Sequence, residues 1–366
     1  MPLTQPPHRR PGVLLGLSGG VDSGVAALLL TQGGYRVEAV TFGLWTDPEA
    51  SGSNRCCTAD TILTARRLAE HLDISHDLVD LSKEFFECVV SYFVSTYAAA
   101  QTPNPCVHCN ARLRLPILAC MADELGLEHV ATGHYARLDP QSLGLLRGRD
   151  PLKDQSYVLA QVDPALLRRA VFPLGELTKP EVRAIAHDHG LPVEASPESQ
   201  DICFVPDGDY RRFLARRVSG SSGPILDTEG RTRGAHEGLY RYTIGQRRGL
   251  GVADSEPLYV VEQRLSDNAL IVGRAADLEV MGLQLTDVVV HRPHPGGDEV
   301  NVAVQYRSTG ESAPARLEPY DPNVRSLQVA FSEPAAGVAP GQLAVVYHEE
   351  SVLLSGSITS TARRGE

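Results

Sequence analysis

Apolar positions in the first two hundred residues follow two alternating rhythms. Val13, Leu14, Leu15, Gly16 and Leu17 form a short continuous apolar block, the pattern of a strand buried on both faces. Residues 21–30 instead repeat their apolar side chains at helical spacing. The pair recurs: 37–44 predicts a strand, 58–71 a helix, 76–81 a strand, and 128–132 another strand after a helix that starts at Asn110. Thr178, Lys179, Pro180 and Glu181 have capping-box spacing with proline in the first turn, and predict a helix that stops at Gly190. Strands alternating with helices imply an α/β fold built on a doubly wound parallel sheet.

The rhythm changes after about residue 206. The stretch VSGSSGPILDTEG, residues 218–230, has the composition of a turn-rich connector. Beyond it come short alternating runs such as residues 299–306, EVNVAVQY, set between Pro, Gly and Asp clusters. This second half is read as β-rich, a small barrel or sandwich. The expected division is a disordered tail over 1–11, an α/β domain over 12–206, a central linker domain over 207–280 and a C-terminal β domain over 281–362.

A length of 366 residues suits two or three domains. No run reaches the ~18 consecutive apolar residues of a membrane span, and the first residues lack the apolar block of a signal peptide, so a cytoplasmic location is expected. A formal net charge of −11 argues against indiscriminate coating of nucleic acid but not against a local basic face. Lysine occurs only at 83, 153 and 179, so most phosphate contacts would come from arginine, although base composition of the genome explains the bias as well. Arg211, Arg212, Arg216 and Arg217 fall on one predicted helix that fits either a phosphate-facing or a merely solvated surface.

The chemistry begins where the first strand meets the first helix, in GLSGGVDS, residues 16–23. A glycine-rich turn at a helix N-terminus presents free N–H groups and the positive end of the helix dipole, which together favour a phosphate or pyrophosphate. The turn lacks the Gly-Lys-Ser/Thr ending of the usual nucleoside-triphosphatase loop and the Gly-x-Gly-x-x-Gly fingerprint. Ser18 and Ser23 offer hydroxyls for phosphate oxygens, and Asp22 a carboxylate for a bridging Mg²⁺ ion.

The second stretch is TPNPCVHCN, residues 102–110, where Cys106 and Cys109 form a C-x-x-C on a proline-constrained loop running into a helix. A helix N-terminus lowers a thiol pKa and makes thiolate available. The third is SQDICFV, residues 199–205, which carries Cys203; alone, this cysteine fits a small buried residue equally well. The seven cysteines are odd in number, and no second C-x-x-C or histidine pair completes a zinc knuckle. Cys56, Cys57, Cys88 and Cys120 have no partner motif and are read as structural.

SGGVDS resembles the signature of the N-type ATP pyrophosphatases, the PP-loop enzymes, which split ATP between its α and β phosphates. Together with ATGHYARL, KDQSYVLAQV, FPLGELTKPEVRAIA, SQDICFV and GLYRYTIGQRRGLGV, the order of motifs is similar to that of the tRNA-specific 2-thiouridylases over nine tenths of the chain. The resemblance implies an α/β PP-loop domain followed by a small central domain and a C-terminal antiparallel β-barrel that contacts tRNA. It also implies ATP and Mg²⁺ as cofactors and, as substrate, a tRNA of the Lys, Glu or Gln type whose wobble uridine is sulfurated at C2. A sulfur-donor protein or a cysteine desulfurase relay would supply the sulfur.

Carried over by motif, Gly16, Leu17, Ser18, Gly19, Gly20, Val21, Asp22 and Ser23 hold ATP phosphates, Phe42 lies against adenine, and Gly133 lines the nucleotide site. Cys203 resembles the cysteine that receives sulfur as a persulfide, and Cys109 its nucleophilic partner, with a disulfide between them as an end state. For tRNA the resemblance implies Asn104, Pro105 and Cys106 near the target base, with His134, Lys153, Asp154, Gln155, Tyr306, Arg307 and Gln342. Read as residues alone, His134 also fits a satisfied core histidine and Arg307 a solvated strand residue.

One position departs from the pattern, because many relatives carry Asp where this chain has Cys106. Cys106, Cys109 and Cys203 would, if convergent, ligate three irons of a [4Fe–4S] cluster and leave the fourth open, an alternative to the persulfide relay. Two further functions compete: a PP-loop ligase acting on a small molecule, and an RNA-binding protein without chemistry. Neither needs a pair of distant reactive cysteines.

Overall fold

The computed structural model describes residues 10–48, 59–193, 202–205, 208–292, 302–318 and 326–363. The expected tail, Cys56, Cys57, Asp201 and the 299–301 end of the alternating run lie outside these residues, apart from positions 10 and 11 of the tail. The chain divides into two compact units, and both are discontinuous in sequence: residues 1–85, 110–156 and 162–204 form the first, residues 86–109, 157–161 and 205–366 the second.

The first unit is built on a five-stranded sheet: β1 (Gly12–Gly16), β2 (Arg36–Gly43), β3 (Ser75–Asp80), β4 (His129–Ala131) and β5 (Ala170–Val171), in the order β3-β2-β1-β4-β5. Every adjacent pair is parallel, as the continuous apolar runs require. β1 is central, and Val13, Leu14 and Leu15 are at most 1% exposed. Around it pack α1 (Val21–Gln32), α2 (Ala59–His71), α3 (Leu115–Glu124) and α4 (Lys179–Asp188). One core joins Leu15 and Leu17 to Val25 and Leu28 of α1, Leu68 of α2 and Val182 of α4. Thr178 caps α4 reciprocally with Glu181 as its sequence predicts, and the helix ends at His189 before Gly190 turns left-handed at φ +58.

The second unit holds two β modules. In the first, β6 (Gly223–Asp227), β7 (Thr232–His236), β8 (Tyr259–Arg264) and β9 (Ala269–Gly273) form a sheet of order β8-β9-β6-β7 around Ile225, Tyr242, Val260, Leu270 and Val272. This corrects the connector reading of residues 218–230, since the PILD half of that run is a strand: Ile225 and Asp227 turn inward while Pro224 occupies a strand start, where its missing N–H costs little.

The second module comprises β10 (Glu279–Val290), β11 (Val302–Gln305), β12 (Ala313–Leu317), β13 (Leu327–Ala336), β14 (Leu343–His348) and β15 (Ser351–Ala362). Their antiparallel pairing runs β10-β13-β12-β11-β14-β15, and β15 pairs back onto β10. The result is a closed antiparallel barrel, which leaves no open edge among these six strands. Inward-facing Leu285, Val304, Phe331, Val346 and Ile358 share its core. The described part of the alternating run, 302–305, is the strand it predicts.

Candidate active site

The backbone of β1 ends at Gly16, and the next residues turn so that α1 begins at Val21 with Gly20 as its N-cap. Leu17 remains tied to the sheet, its N–H donating to the Val40 carbonyl at 2.8 Å and its carbonyl accepting from Thr41 Oγ1 at 2.5 Å. Gly19 has φ +77, and a Cβ there would overlap the Thr61 carbonyl oxygen of α2, so both conformation and space require glycine. Ser23 Oγ receives the Ser18 N–H at 3.2 Å, lies 3.1 Å from Ser18 Oγ and donates to the Gly20 carbonyl at 3.1 Å. These bonds hold the turn closed at the point where the first N–H groups of α1 have no partner within the helix. Hydroxyls, unpaired amides and a helix dipole are thus gathered as a phosphate site requires, and the turn fits the ATP expected there.

Gly133 packs directly on this turn: a Cβ there would lie 3.0 Å from the Asp22 carbonyl carbon and from the Ser23 nitrogen. Phe42 is half-buried on β2. Asp22 has two partners that its sequence neighbourhood does not predict. Both carboxylate oxygens accept from Lys179 Nζ, at 2.6 and 2.7 Å, and Oδ1 also accepts from the Tyr135 hydroxyl at 2.6 Å. Lys179 is the first residue of α4 and is 8% exposed. In the sequence it stands out only as one of three lysines, inside the capping box and within the FPLGELTKPEVRAIA motif.

Four of the expected tRNA residues support this same frame. Gln155 pairs with the Tyr135 backbone through both its own N–H (2.9 Å) and its side-chain oxygen (3.0 Å). Asp154 accepts from Arg147, the Gly148 N–H and both polar groups of Ser156, within 3.0 Å. Lys153 is half-buried, with its N–H on the Asp150 carbonyl at 3.1 Å. His134 is buried beside Thr132 Oγ1 (2.7 Å from Nδ1) and edge-on to Phe172. Burial, aided by the nearby charge of Arg114, pushes its imidazole down to about 3, so the ring is neutral at ordinary pH. That environment matches the core-histidine alternative.

In the second unit, Asn104, Pro105, Cys106 and Cys109 belong to one structural segment. The C-x-x-C is helical rather than a loop, with a turn over Pro105–Cys109 that starts at proline, whose absent N–H would have no partner there anyway. Asn104 Oδ1 accepts from the Val107 N–H at 3.4 Å, and its Nδ2 donates to Tyr157 Oη at 3.4 Å. His108 stacks on Tyr92 at 4.0 Å with an interplanar angle of 7°. Cys106 is exposed and Cys109 buried. Gln342, at the foot of β14, donates to the Thr102 and Pro103 carbonyls at 3.3 and 3.2 Å, so this side chain clasps the segment that carries the cysteines. Tyr306 lies in the barrel core against Phe331, and the exposed Arg307 stacks over its ring at 5.2 Å while donating to the Ala336 carbonyl at 3.1 Å. The arginine-rich helix is short, Tyr210–Ala215: Arg211 and Arg217 are drawn onto Tyr210 and Phe213, and Arg212 and Arg216 are exposed.

In the first unit, Cys203 is half-buried, and the residue after it, Phe204, is anchored against Phe85 at 5.8 Å between ring centroids. The helix expected from Asn110 continues instead from the cysteine turn as a π-helical stretch, Asn110–Arg114, before α3. Asn110 is buried with its carboxamide oxygen unsatisfied. Among the described residues no group of three or more His, Cys, Asp or Glu side chains is assembled to hold a metal ion.

Residues 11–207 match the family profile described as the tRNA methyl transferase HUP domain, residues 211–274 its PRC-barrel domain, and residues 280–358 the aminomethyltransferase beta-barrel domain. The chain is 48% identical over 348 residues to the bifunctional protein NifU/MnmA of Rubrobacter xylanophilus, covering 95% of this chain and 69% of that protein. It is 42% identical over 368 residues to the tRNA-specific 2-thiouridylase MnmA of Geobacter metallireducens, covering 97% and 99%. The Chloroflexus aurantiacus enzyme of the same name is 44% identical over 352 residues, covering 94% and 98%. With its parallel-sheet domain, central β module and closed barrel in that order, the chain belongs to the tRNA-specific 2-thiouridylase family.

Proposed function

We propose that the protein catalyses the ATP-dependent 2-thiolation of the wobble uridine in tRNAs of the Lys, Glu and Gln type. The phosphate turn carries this reading: its closed, hydroxyl-lined form at the start of α1 suits a nucleotide whose pyrophosphate must be held as it leaves. Gly16 to Ser23 and Gly133 bind the phosphates, with Mg²⁺ accompanying the nucleotide, and Phe42 lies against adenine.

A carbonyl oxygen leaves poorly until it carries a phosphoryl group. In the first step the uridine O2 forms a bond to the α-phosphorus. The bond from that phosphorus to the bridging oxygen breaks, pyrophosphate departs with the electron pair, and the N3 proton passes to solvent. In the second step the terminal sulfur of a persulfide on Cys203 attacks C2 and AMP leaves. The Cys109 thiolate then attacks Cys203 Sγ, which forms a Cys109–Cys203 disulfide and releases the thiocarbonyl, whose N3 takes back a proton. A thiol reductant resets the pair. The base must leave the anticodon stack to be reached, which a single-stranded loop permits cheaply.

Asn104, Pro105 and Cys106 sit near the target base in this reading, and Gln342 acts by holding their segment. Lys153, Asp154, Gln155, Tyr306 and Arg307 remain the tRNA-side set, Arg307 as its exposed guanidinium, whereas His134, buried and neutral, is read as a core residue. The catalytic domain spans 12–206, the central domain 207–280 and the tRNA-contacting barrel 281–362. A persulfide-bearing donor protein or a cysteine desulfurase relay supplies sulfur, and the tRNA substrate supports a cytoplasmic location; no helix among the described residues is long and apolar enough to cross a membrane. A [4Fe–4S] cluster on Cys106, Cys109 and Cys203 is the alternative route for sulfur, and no observation favours it.

The test is nucleoside mass spectrometry of unmodified tRNA-Glu incubated anaerobically with iron-free protein, ATP, Mg²⁺ and a persulfide donor. The expected product is 2-thiouridine. Activity only after iron–sulfur reconstitution would replace the relay by the cluster, and no product under either condition would overturn the tRNA reading.

A further inference from the structure

The central β module keeps two cations that its own carboxylates do not neutralise. Arg231, Arg233, Arg241, Arg264 and Arg274 each meet a carboxylate of that module, Arg231 and Arg233 on Asp227 at 2.8 and 3.0 Å and Arg274 on Asp254 at 2.8 Å. Arg247 and Arg248 are exposed neighbours whose side chains form no ion pair and no hydrogen bond among the described residues. Consecutive guanidinium groups repel each other, and an anion from outside removes that repulsion.

The loop that carries them is tied down on both sides. Gly245 takes φ +84 and donates its N–H to the Val260 carbonyl at 2.8 Å, while the Val260 N–H donates to the Gln246 carbonyl at 2.9 Å. Gln246 Nε2 donates to the Arg248 carbonyl at 2.9 Å, and Leu250, 6% exposed, enters the core with Ile225 and Leu270. Gly249 and Gly251 take φ +76 and +69, and a Cβ at either would meet nothing within 4 Å. Their backbone shape needs glycine while their surroundings do not, so the outer surface of the loop stands open to a molecule lying against it.

The loop also adjoins the barrel within the second unit. A Cβ at Gly245 would lie 3.6 Å from the Gly337 Cα, and one at Gly337 would lie 3.6 Å from Arg307 Nη1. The exposed Arg307 guanidinium likewise has no ion pair among the described residues and donates to the Ala336 carbonyl. Arg247, Arg248 and Arg307 therefore gather around the junction of the two β modules without a carboxylate partner. Planar, multi-donor cations held at fixed places suit a chain of phosphates. A protein partner would need an apolar centre as well as charge, and the exposed residues of 245–251 are only Arg247, Arg248, Gly249 and Gly251.

We propose that Arg247 and Arg248 form a tRNA-binding site in the central module, which grips the sugar–phosphate backbone of the RNA beside Arg307 of the barrel. Binding there is electrostatic and carries no base sequence information. The inference rests on the tRNA reading of the protein and on Arg307 as part of its tRNA side.

Filter binding of unmodified tRNA-Glu to the full-length protein across a KCl series tests it. Arg247→Gln/Arg248→Gln is expected to bind about tenfold more weakly at about 0.1 M salt. Its slope of log affinity against log salt should become shallower by about 1.5, the counterions of two lost contacts. Arg247→Lys/Arg248→Lys should keep the wild-type slope, because it keeps both charges. Arg264→Gln removes a charge from the same module, but one already paired with Asp267, and should bind like wild type. A tRNA with an unrelated anticodon should lose the same factor as tRNA-Glu, since phosphates are common to both. Wild-type affinity and slope in the double glutamine variant overturn the assignment, and leave the pair to an acidic protein or to solvent. A loss no larger than that of Arg264→Gln reduces the effect to net charge, and a loss confined to one tRNA makes it base readout; either overturns the backbone contact. Both arginines are exposed, so thermal unfolding of the double variant should match wild type; if it does not, the single variants carry the same comparison with about half the change in slope. Wild-type protein that binds no tRNA overturns the tRNA reading and this assignment with it, an outcome distinct from intact wild-type binding with an unmoved double variant.

Discussion

Tyr135 donates its hydroxyl proton to Asp22 Oδ1 across 2.6 Å, joining residues separated by 113 positions. The bond ties the loop after β4 to the first turn of α1, so the orientation of the Asp22 carboxylate depends on a residue outside the phosphate turn. Tyr135→Phe keeps the buried ring and removes only this bond. The expected result is a several-fold rise in KM for ATP and a stability loss of about 1 kcal/mol, measured by steady-state AMP release and by urea unfolding; an unchanged KM would leave Tyr135 a packing residue.

The two thiols assigned to sulfur transfer separate the half-reactions. Cys203→Ser and Cys109→Ser should each lower 2-thiouridine formation by about 10³-fold or more, while pyrophosphate still appears in a single turnover of both and AMP only in that of Cys109→Ser, whose Cys203 persulfide can still attack C2. Cys88→Ser and Cys120→Ser serve as controls and should thiolate like wild type. Full turnover by Cys109→Ser would end the relay.

Gln342 distinguishes a residue that binds tRNA from one that positions a segment. Its amide is spent on the Thr102 and Pro103 carbonyls. Gln342→Ala should therefore lower kcat for thiolation by about tenfold, the cost of releasing two hydrogen bonds at the segment, with tRNA affinity within about twofold. Loss concentrated in tRNA binding, read by filter binding, would assign Gln342 to the RNA instead.

The neutral His134 fixes the sign of an acid-side stability change. Its imidazole sits at about 3 in the folded protein against an ordinary 6.5, so in this interval the unfolded chain binds more protons than the folded one. Stability from this group is full above the unfolded value and is lost as pH falls from about 6.5 toward 3, with a slope of at most about 1.4 kcal/mol per pH unit. His134→Asn, which does not titrate, should flatten urea-unfolding stability over that window. Asp254, held down to about 2 chiefly by its bond from Arg274, adds its loss only at lower pH, below its ordinary 3.8.

Gly19→Ala tests the turn itself. A residue other than glycine at φ +77 is strained by about 1–3 kcal/mol, and the added carbon also meets the Thr61 carbonyl. The variant should lose at least about 2 kcal/mol of stability together with ATP binding, measured by chemical unfolding and by nucleotide titration.

The parallel-sheet unit was legible in the sequence because its signals are local. A continuous apolar block predicts a doubly buried strand, periodic apolar positions predict a helix, and Thr178 with Glu181 predicts a cap, each within a few residues. The phosphate turn was legible for the same reason: its glycines, serines and first helical turn are contiguous. The strand at Gly223–Asp227 escaped notice because proline, glycine and serine around it carry turn composition, and only pairing with β7 and β9 makes it a strand. The cysteine motif has the sequence of a loop approaching a helix yet is itself helical, because the Asn104 side chain and carbonyl accept hydrogen bonds from the Val107 and His108 N–H groups and close that turn early.

What the sequence by itself determined was the order of elements and the glycine-rich turn between the first strand and helix, since local periodicity and contiguous motifs encode these; the roles of Cys109 and Cys203 it carried only as what the family resemblance implies. Tertiary structure alone decided that Lys179 and Tyr135 stand at Asp22, that Gln342 grips the Thr102–Pro103 carbonyls, and that His134 is buried and neutral. Each of these depends on surfaces brought together across long stretches of chain, where burial and charge are properties of the packed neighbourhood and not of the residue.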